Sequence, residues 1–63
     1  MKLDHNKLDI LRARNCLTMS QLAKAAGVST ASIVRSKNPS VITVGRVARA
    51  LGVDVEEIIV KEE

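Results

Sequence analysis

Thr30, Ala31, Val34 and Arg35 are spaced so that a helix starting just after Ser29 carries all four on its outer face, with Ile33 turned inward. A hydroxyl, a methyl and a guanidinium on one helical face suit the edges of base pairs in a DNA major groove. Arg35 can grip guanine O6 and N7 through two parallel bonds, worth about 1 to 3 kcal/mol of discrimination, while Thr30 takes donors or acceptors and Ala31 touches only a thymine methyl. So sparse a set implies modest specificity, or specificity supplied partly by DNA shape. Candidates for phosphate contact surround it: the hydroxyls of Thr18, Ser20, Ser29 and Ser32, the amide of Gln21, and the ammonium groups of Lys24 and Lys37. The same side chains also fit an ordinary solvated helix surface, with Lys37 as a solubilising loop cation.

Positioning them is the task of Thr18 to Arg35, TMSQLAKAAGVSTASIVR. Thr18 is a hydroxyl placed to cap a helix, Leu22, Ala23 and Ala26 recur behind it at helical spacing, and Gly27 can take a positive φ and stop it. Ser29 caps a second short helix running to about Ser36. Two helices meeting steeply over so short a turn leave no room for bulk, which accounts for the alanines.

The rest of the chain supplies support. Asp4 to Asn15 reads as a first helix, with Leu8 and Leu11 as its apolar stripe and Arg12 and Arg14 near the end, where the dipole favours cations. Asn15 or Cys16 ends it, and Leu17 enters the core. Ser36 to Ile42 reads as a loop around Pro39. Thr43 is placed to cap a fourth helix through Leu51, with Val44, Val47, Ala48 and Leu51 inward and Arg46 and Arg49 outward, closed by Gly52. Asp54 is placed to cap a fifth helix, Val55 to about Val60. Ile58, Ile59 and Val60 are too many apolar residues for one narrow face, so a contact between subunits is expected there. The expected fold is all-α, a compact five-helix bundle in a single domain over residues 1–63 with an acidic end, 54–63.

Composition narrows the function. The chain has no Phe, Tyr or Trp, which removes the stacking platforms used by readers of single-stranded nucleic acid. Residues 1–53 hold nine of the ten Lys and Arg and two acids, a balance of +7, while 54–63 hold five acids and one Lys, a balance of −4. A basic body with an acidic end points to a polyanion partner, although a solvated surface of mixed charge accounts for it as well. Cys16 stands alone, read as a small buried or half-buried residue, so neither a disulfide nor a zinc site is expected and a reducing, cytoplasmic setting fits. No membrane-length apolar run and no signal-type opening occur. His5 reads as a surface residue. No nucleophile has a base at useful spacing, so no enzyme is expected, and no cofactor or metal is implied.

LTMSQLAKAAGVSTASIV followed by TVGRVARALGVDVEEII closely resembles the Cro and phage-repressor type of helix-turn-helix, the XRE family, from about Leu8 to Ile59. The resemblance implies a lambda-repressor-like bundle with the helix-turn-helix at helices 2 and 3, bound to double-stranded DNA as a homodimer on near-palindromic sites. By position, Ser29 resembles the family's cap on the recognition helix, Thr30 and Ala31 its main base-reading positions, and Arg35 a third. Three departures stand out. Met19 replaces a phosphate-binding glutamine. The segment between Ile33 and Thr43 is about three residues short and lacks the glutamate that usually pairs with an arginine at the position of Arg12, which is then expected to find a carbonyl, another acid or water. Cys16 replaces a glycine. Two functions follow: a DNA-binding transcriptional regulator, most simply a repressor, or a protein-interaction module of antitoxin or adaptor type that keeps the fold without reading DNA.

Overall fold

Four side-chain oxygens set where the helices of this chain begin. In the computed structural model, which describes residues 1–35 and 37–60, Asp4 Oδ1 accepts the N–H groups of Asn6 (3.1 Å) and Lys7 (3.2 Å) and starts α1, His5–Asn15. Thr18 starts α2, Met19–Ala26; Ser29 starts α3, Thr30–Val34; Ser40 starts α4, Val41–Leu51. These oxygens take up amides that a helix leaves without partners in its first turn. Three helices stop on a left-handed residue: Cys16 (φ 54°), Gly27 (φ 73°) and Gly52 (φ 70°). At Gly27 the closure is double, Gly27 N–H donating to Lys24 O (3.2 Å) and Val28 N–H to Ala23 O (3.0 Å), so the chain reverses direction before Ser29.

Among the described residues the fold is all-helical and has no strand, only one isolated bridge. Its Cα radius of gyration is 10.3 Å, close to the ~10.6 Å of a compact chain this long. Leu8, Leu22, Ile33, Val44, Val47 and Ile58 are fully covered, joined by Leu3, Ala23, Ala26, Ala48 and Leu51. Each covered set follows its helix's period: Leu22, Ala23 and Ala26 on α2 face Val44, Val47, Ala48 and Leu51 on α4, the most extensive contact between elements. The alanines let α2 approach closely, and α3 hangs from that support through Ile33.

Several boundaries and burials differ from the sequence-based expectation. Asp4 caps α1 rather than lying within it. The α4 helix starts at Val41, not after Thr43: Ser40 Oγ accepts the Thr43 N–H (3.2 Å), and the two hydroxyls lie 3.0 Å apart. Starting there gains a further helical bond, Val44 N–H to Ser40 O (3.0 Å), but leaves Val41 and Ile42 67% and 68% exposed. Cys16 is exposed, because as the left-handed C-cap it sits where α1 turns back at the surface. The fifth helix is a single 3₁₀ turn, Val55–Glu57, after which the chain extends.

That extension changes the role of the apolar end. Asp4 N–H donates to Ile58 O (2.8 Å) and Val60 N–H to Lys2 O (2.9 Å), with Leu3 opposite Ile59. β-Branched residues accept an extended backbone readily, and this pairing covers Leu3 and Ile58 together. Ile58 therefore belongs to the chain's own core and is withdrawn from the subunit contact expected of it. Ile59 is half-buried against the same core, leaving Val60, 37% exposed, as the most accessible of the three.

Candidate nucleic-acid interface

Thr18 and Gln21 cap α2 reciprocally. Thr18 Oγ1 accepts the Gln21 N–H (3.1 Å) and Gln21 Oε1 accepts the Thr18 N–H (2.9 Å), a capping box written in the sequence as T-M-S-Q. The box uses acceptors on both side chains, so what remains is donors: the Thr18 O–H and the Gln21 amide NH₂. Phosphate oxygens need donors. Ser20 and Lys24 are exposed on the same helix, and the cap does not use the backbone N–H groups of Met19 and Ser20.

At α3, Ser29 Oγ accepts the Ser32 N–H (3.1 Å) and lies 2.7 Å from Ser32 Oγ. One hydroxyl proton lies between the two oxygens, and whichever serine supplies it, the other keeps a free O–H. The helix has five residues, about 7.5 Å of rise. Thr30, Ala31 and Val34 are exposed while Ile33 is fully covered, so the outer face has the composition expected of it. Arg35 is exposed as well but stands one residue past the helix, as its C-cap (φ −94°, ψ −23°), with its N–H bonded to Ala31 O (2.9 Å). The expected extension of this helix to Ser36 stops short at Val34, and Ser36 lies outside the described residues. Lys37 is exposed in the bend that follows.

The electrostatics come from an absence in the sequence and one pairing in the structure. No carboxylate occurs between Asp9 and Asp54, a stretch that contains α2, α3 and α4. Among the described residues the one side-chain ion pair is Arg12 with Asp9, 2.9 Å apart. Arg12 Nη1 also donates to Leu17 O (3.3 Å), while its Nε is buried without a partner. The arginine thus finds both an acid and a carbonyl, and it fastens the end of α1 to the residue that leads into α2. Lys24, Arg35, Lys37, Arg46 and Arg49 are all exposed, and no described carboxylate pairs with any of them.

One contact and one group of residues near this surface have no signal in local spacing. Arg46 Nη1 donates to Gly27 O (3.4 Å), tying α4 to the α2–α3 turn, although its outward place on α4 is readable from the helical period. Lys2, His5 and Asn38 join Val34, Arg35 and Lys37 around one open cleft. The fold alone brings them together, through the Leu3–Ile59 bridge and a bond from the Met1 ammonium to Asn38 Oδ1 (2.9 Å).

No described group of His, Cys, Asp and Glu could hold a metal ion, and no described helix is long and apolar enough to cross a membrane. Compared with protein-family models, curated proteins and solved structures, the chain finds no match in any of the three.

Proposed function

We propose that this chain is a lambda-repressor-like helix-turn-helix protein, α2 and α3 forming the motif, that binds double-stranded DNA and regulates transcription, most simply as a repressor. The observation carrying this reading is α3 itself. It is a short helix, hydroxyl-capped and held by Ile33 on an alanine-lined support, with Thr30, Ala31, Val34 and Arg35 all exposed, in a stretch free of carboxylates. In the bound state Arg35 reads a guanine edge, Thr30 and Ala31 touch neighbouring bases, and the donors of Thr18, Ser20, Gln21, Lys24, Ser29, Ser32 and Lys37 fix the helix against phosphates. A five-residue helix reads few base pairs. Two copies on half-sites about 34 Å apart would supply the missing specificity, so the proposal includes a homodimer on DNA.

The test is selection of bound duplexes from a random pool, followed by affinity measurements at two salt concentrations. A near-palindromic consensus, with affinity falling steeply between about 50 and 200 mM salt, is the expected result. Absence of duplex binding at the lower salt, or affinity independent of salt, overturns it.

A second reading, an interaction module of adaptor or antitoxin type, draws on one specific observation. Val34, Val41 and Ile42 are 51%, 67% and 68% exposed, and Val34 stands on the face assigned to DNA. Duplex binding that is absent at low salt would favour it.

A further inference from the structure

We propose that the open cleft beside α3 is a docking site for an extended acidic peptide, a segment in which carboxylates alternate with aliphatic side chains. The cleft is open to solvent and offers about 930 Å³, more than a single ion needs and within the ~300 to 1,000 Å³ typical of ligand clefts. Three features define its occupant. Its lysine and arginine side chains are Lys2, Arg35 and Lys37, beside the Met1 ammonium that is bonded to Asn38, with no carboxylate among the described lining residues and no described carboxylate paired to any of the three side chains. Its accessible apolar lining is Met1, Val34 and Val60, at 47%, 51% and 37% exposure.

The third feature is backbone. Leu3 and Ile59, which also line the cleft, face each other as a pair whose bonds are made by their neighbours, Asp4 with Ile58 and Val60 with Lys2. In antiparallel geometry the N–H and C=O of such a pair point away from the ribbon. No backbone partner among the described residues takes them up. Leu3 is 4% exposed, so the edge open to an added strand is that of the half-buried Ile59. A strand places alternate side chains on opposite faces, so aliphatic groups enter the cleft while carboxylates stay at the rim, where the long Lys and Arg side chains reach them. A second copy of this chain fits less well, because, of its described carboxylates, Asp9, Glu56 and Glu57 stand within helical elements, and Asp4 and Asp54 stand as the single N-cap residues of such elements.

Arg35 and Lys37 also belong to the surface assigned above to DNA, and one consequence rests on that reading: peptide and duplex exclude each other. The cleft proposal itself does not require DNA binding.

Titrating the isotope-labelled chain with a capped octapeptide of alternating glutamate and valine, followed by amide chemical shifts, reads the cleft without DNA. Saturable shifts confined to cleft residues such as Leu3, Val34 and Ile59 are expected. The variants V34E and K37E, each changing an exposed residue, are expected to lose about tenfold or more in affinity, while I10S on α1, outside the cleft, keeps it. Glutamate–serine and lysine–valine octapeptides should bind at least about tenfold more weakly. No saturable shift, shifts centred elsewhere, or equal binding of the lysine–valine peptide overturns the proposal. So does a sedimentation result in which V34E splits a dimer and the peptide fails to bind, which assigns the cleft to a second copy. Competition is read separately with a fluorescent duplex. Displacement by the peptide is expected, and a bound duplex that a bound peptide leaves in place overturns the mutual exclusion. Peptide binding with no duplex binding at about 50 mM salt upholds the cleft and removes the DNA reading instead.

Discussion

Leu3 and Ile59 stand opposite each other in an antiparallel bridge that joins the two ends of the described chain. The bridge makes Leu3, 4% exposed, part of the core and helps to close the fully buried Ile58. Leu3→Ala should cost about 2 to 4 kcal/mol, the transfer term plus a cavity. For 63 residues the whole stability is about 3 to 9 kcal/mol, so a large share is at stake. Urea denaturation checks this, and a loss below about 0.5 kcal/mol would mean that the bridge is not part of the cooperative unit.

Cys16 holds φ 54° while exposed, so its side chain gains little in return for a left-handed backbone. Cys16→Gly should remove strain of about 1 to 2 kcal/mol and give back part of it as unfolded-chain entropy. A net gain of about 0.5 to 1 kcal/mol, or roughly 4 °C in Tm, is expected. Cys16→Ala keeps the Cβ and should give no gain. Equal Tm for the two variants would refute the strain argument.

The reciprocal bonds of Thr18 and Gln21 predict non-additive mutants. Thr18→Ala should cost about 1 kcal/mol and Gln21→Ala somewhat less, with the double variant costing less than their sum because losing either bond frees the turn and already weakens the other. Thermal denaturation of the four proteins measures the coupling, and strict additivity would show that the two bonds do not act together.

Arg12 has two partners of different kinds, and salt separates them. Asp9 is 61% exposed, so Asp9→Ala should cost at most about 1 kcal/mol, and that cost should fade at high salt. Arg12→Ala also takes the donor from Leu17 O and uncovers the packing of its stem, costing about 1 to 3 kcal/mol with little salt dependence. Parallel salt curves for the two variants would be the contrary result.

On DNA, Arg35→Ala is expected to relax preference at one base pair, by about 1 to 3 kcal/mol, while Lys37→Ala weakens all duplexes alike and lowers the salt slope by about 1. Selection followed by titration at several salt concentrations distinguishes the two. Uniform weakening by both variants would remove base reading from Arg35.

The amino-acid sequence by itself determined what depends on neighbours a few residues apart. Thr18, Gly27 and Ser29 mark the limits of α2 and the start of α3, Gly52 closes α4, and the period of Leu22, Ala23, Ala26, Val44, Val47 and Ala48 assigns the buried faces, because caps, left-handed stops and helical stripes are all local. Local reading was weakest where two acceptable choices lay close together. Ser40 and Thr43 can each cap α4, and Ser40 prevails by adding helical bonds at the expense of exposing Val41 and Ile42.

Only the tertiary structure decided the rest. That Ile58 is covered within the chain, that Leu3 has a partner at Ile59, that Arg12 settles between Asp9 and Leu17 O, and that Lys2 comes to share a cleft with Arg35 and Lys37 are outcomes of packing. With a core of no aromatic side chains, every aliphatic group that can be covered counts. The apolar end therefore extends back against the first residues of the chain instead of completing a fifth helix, and no periodicity within either segment carries that information.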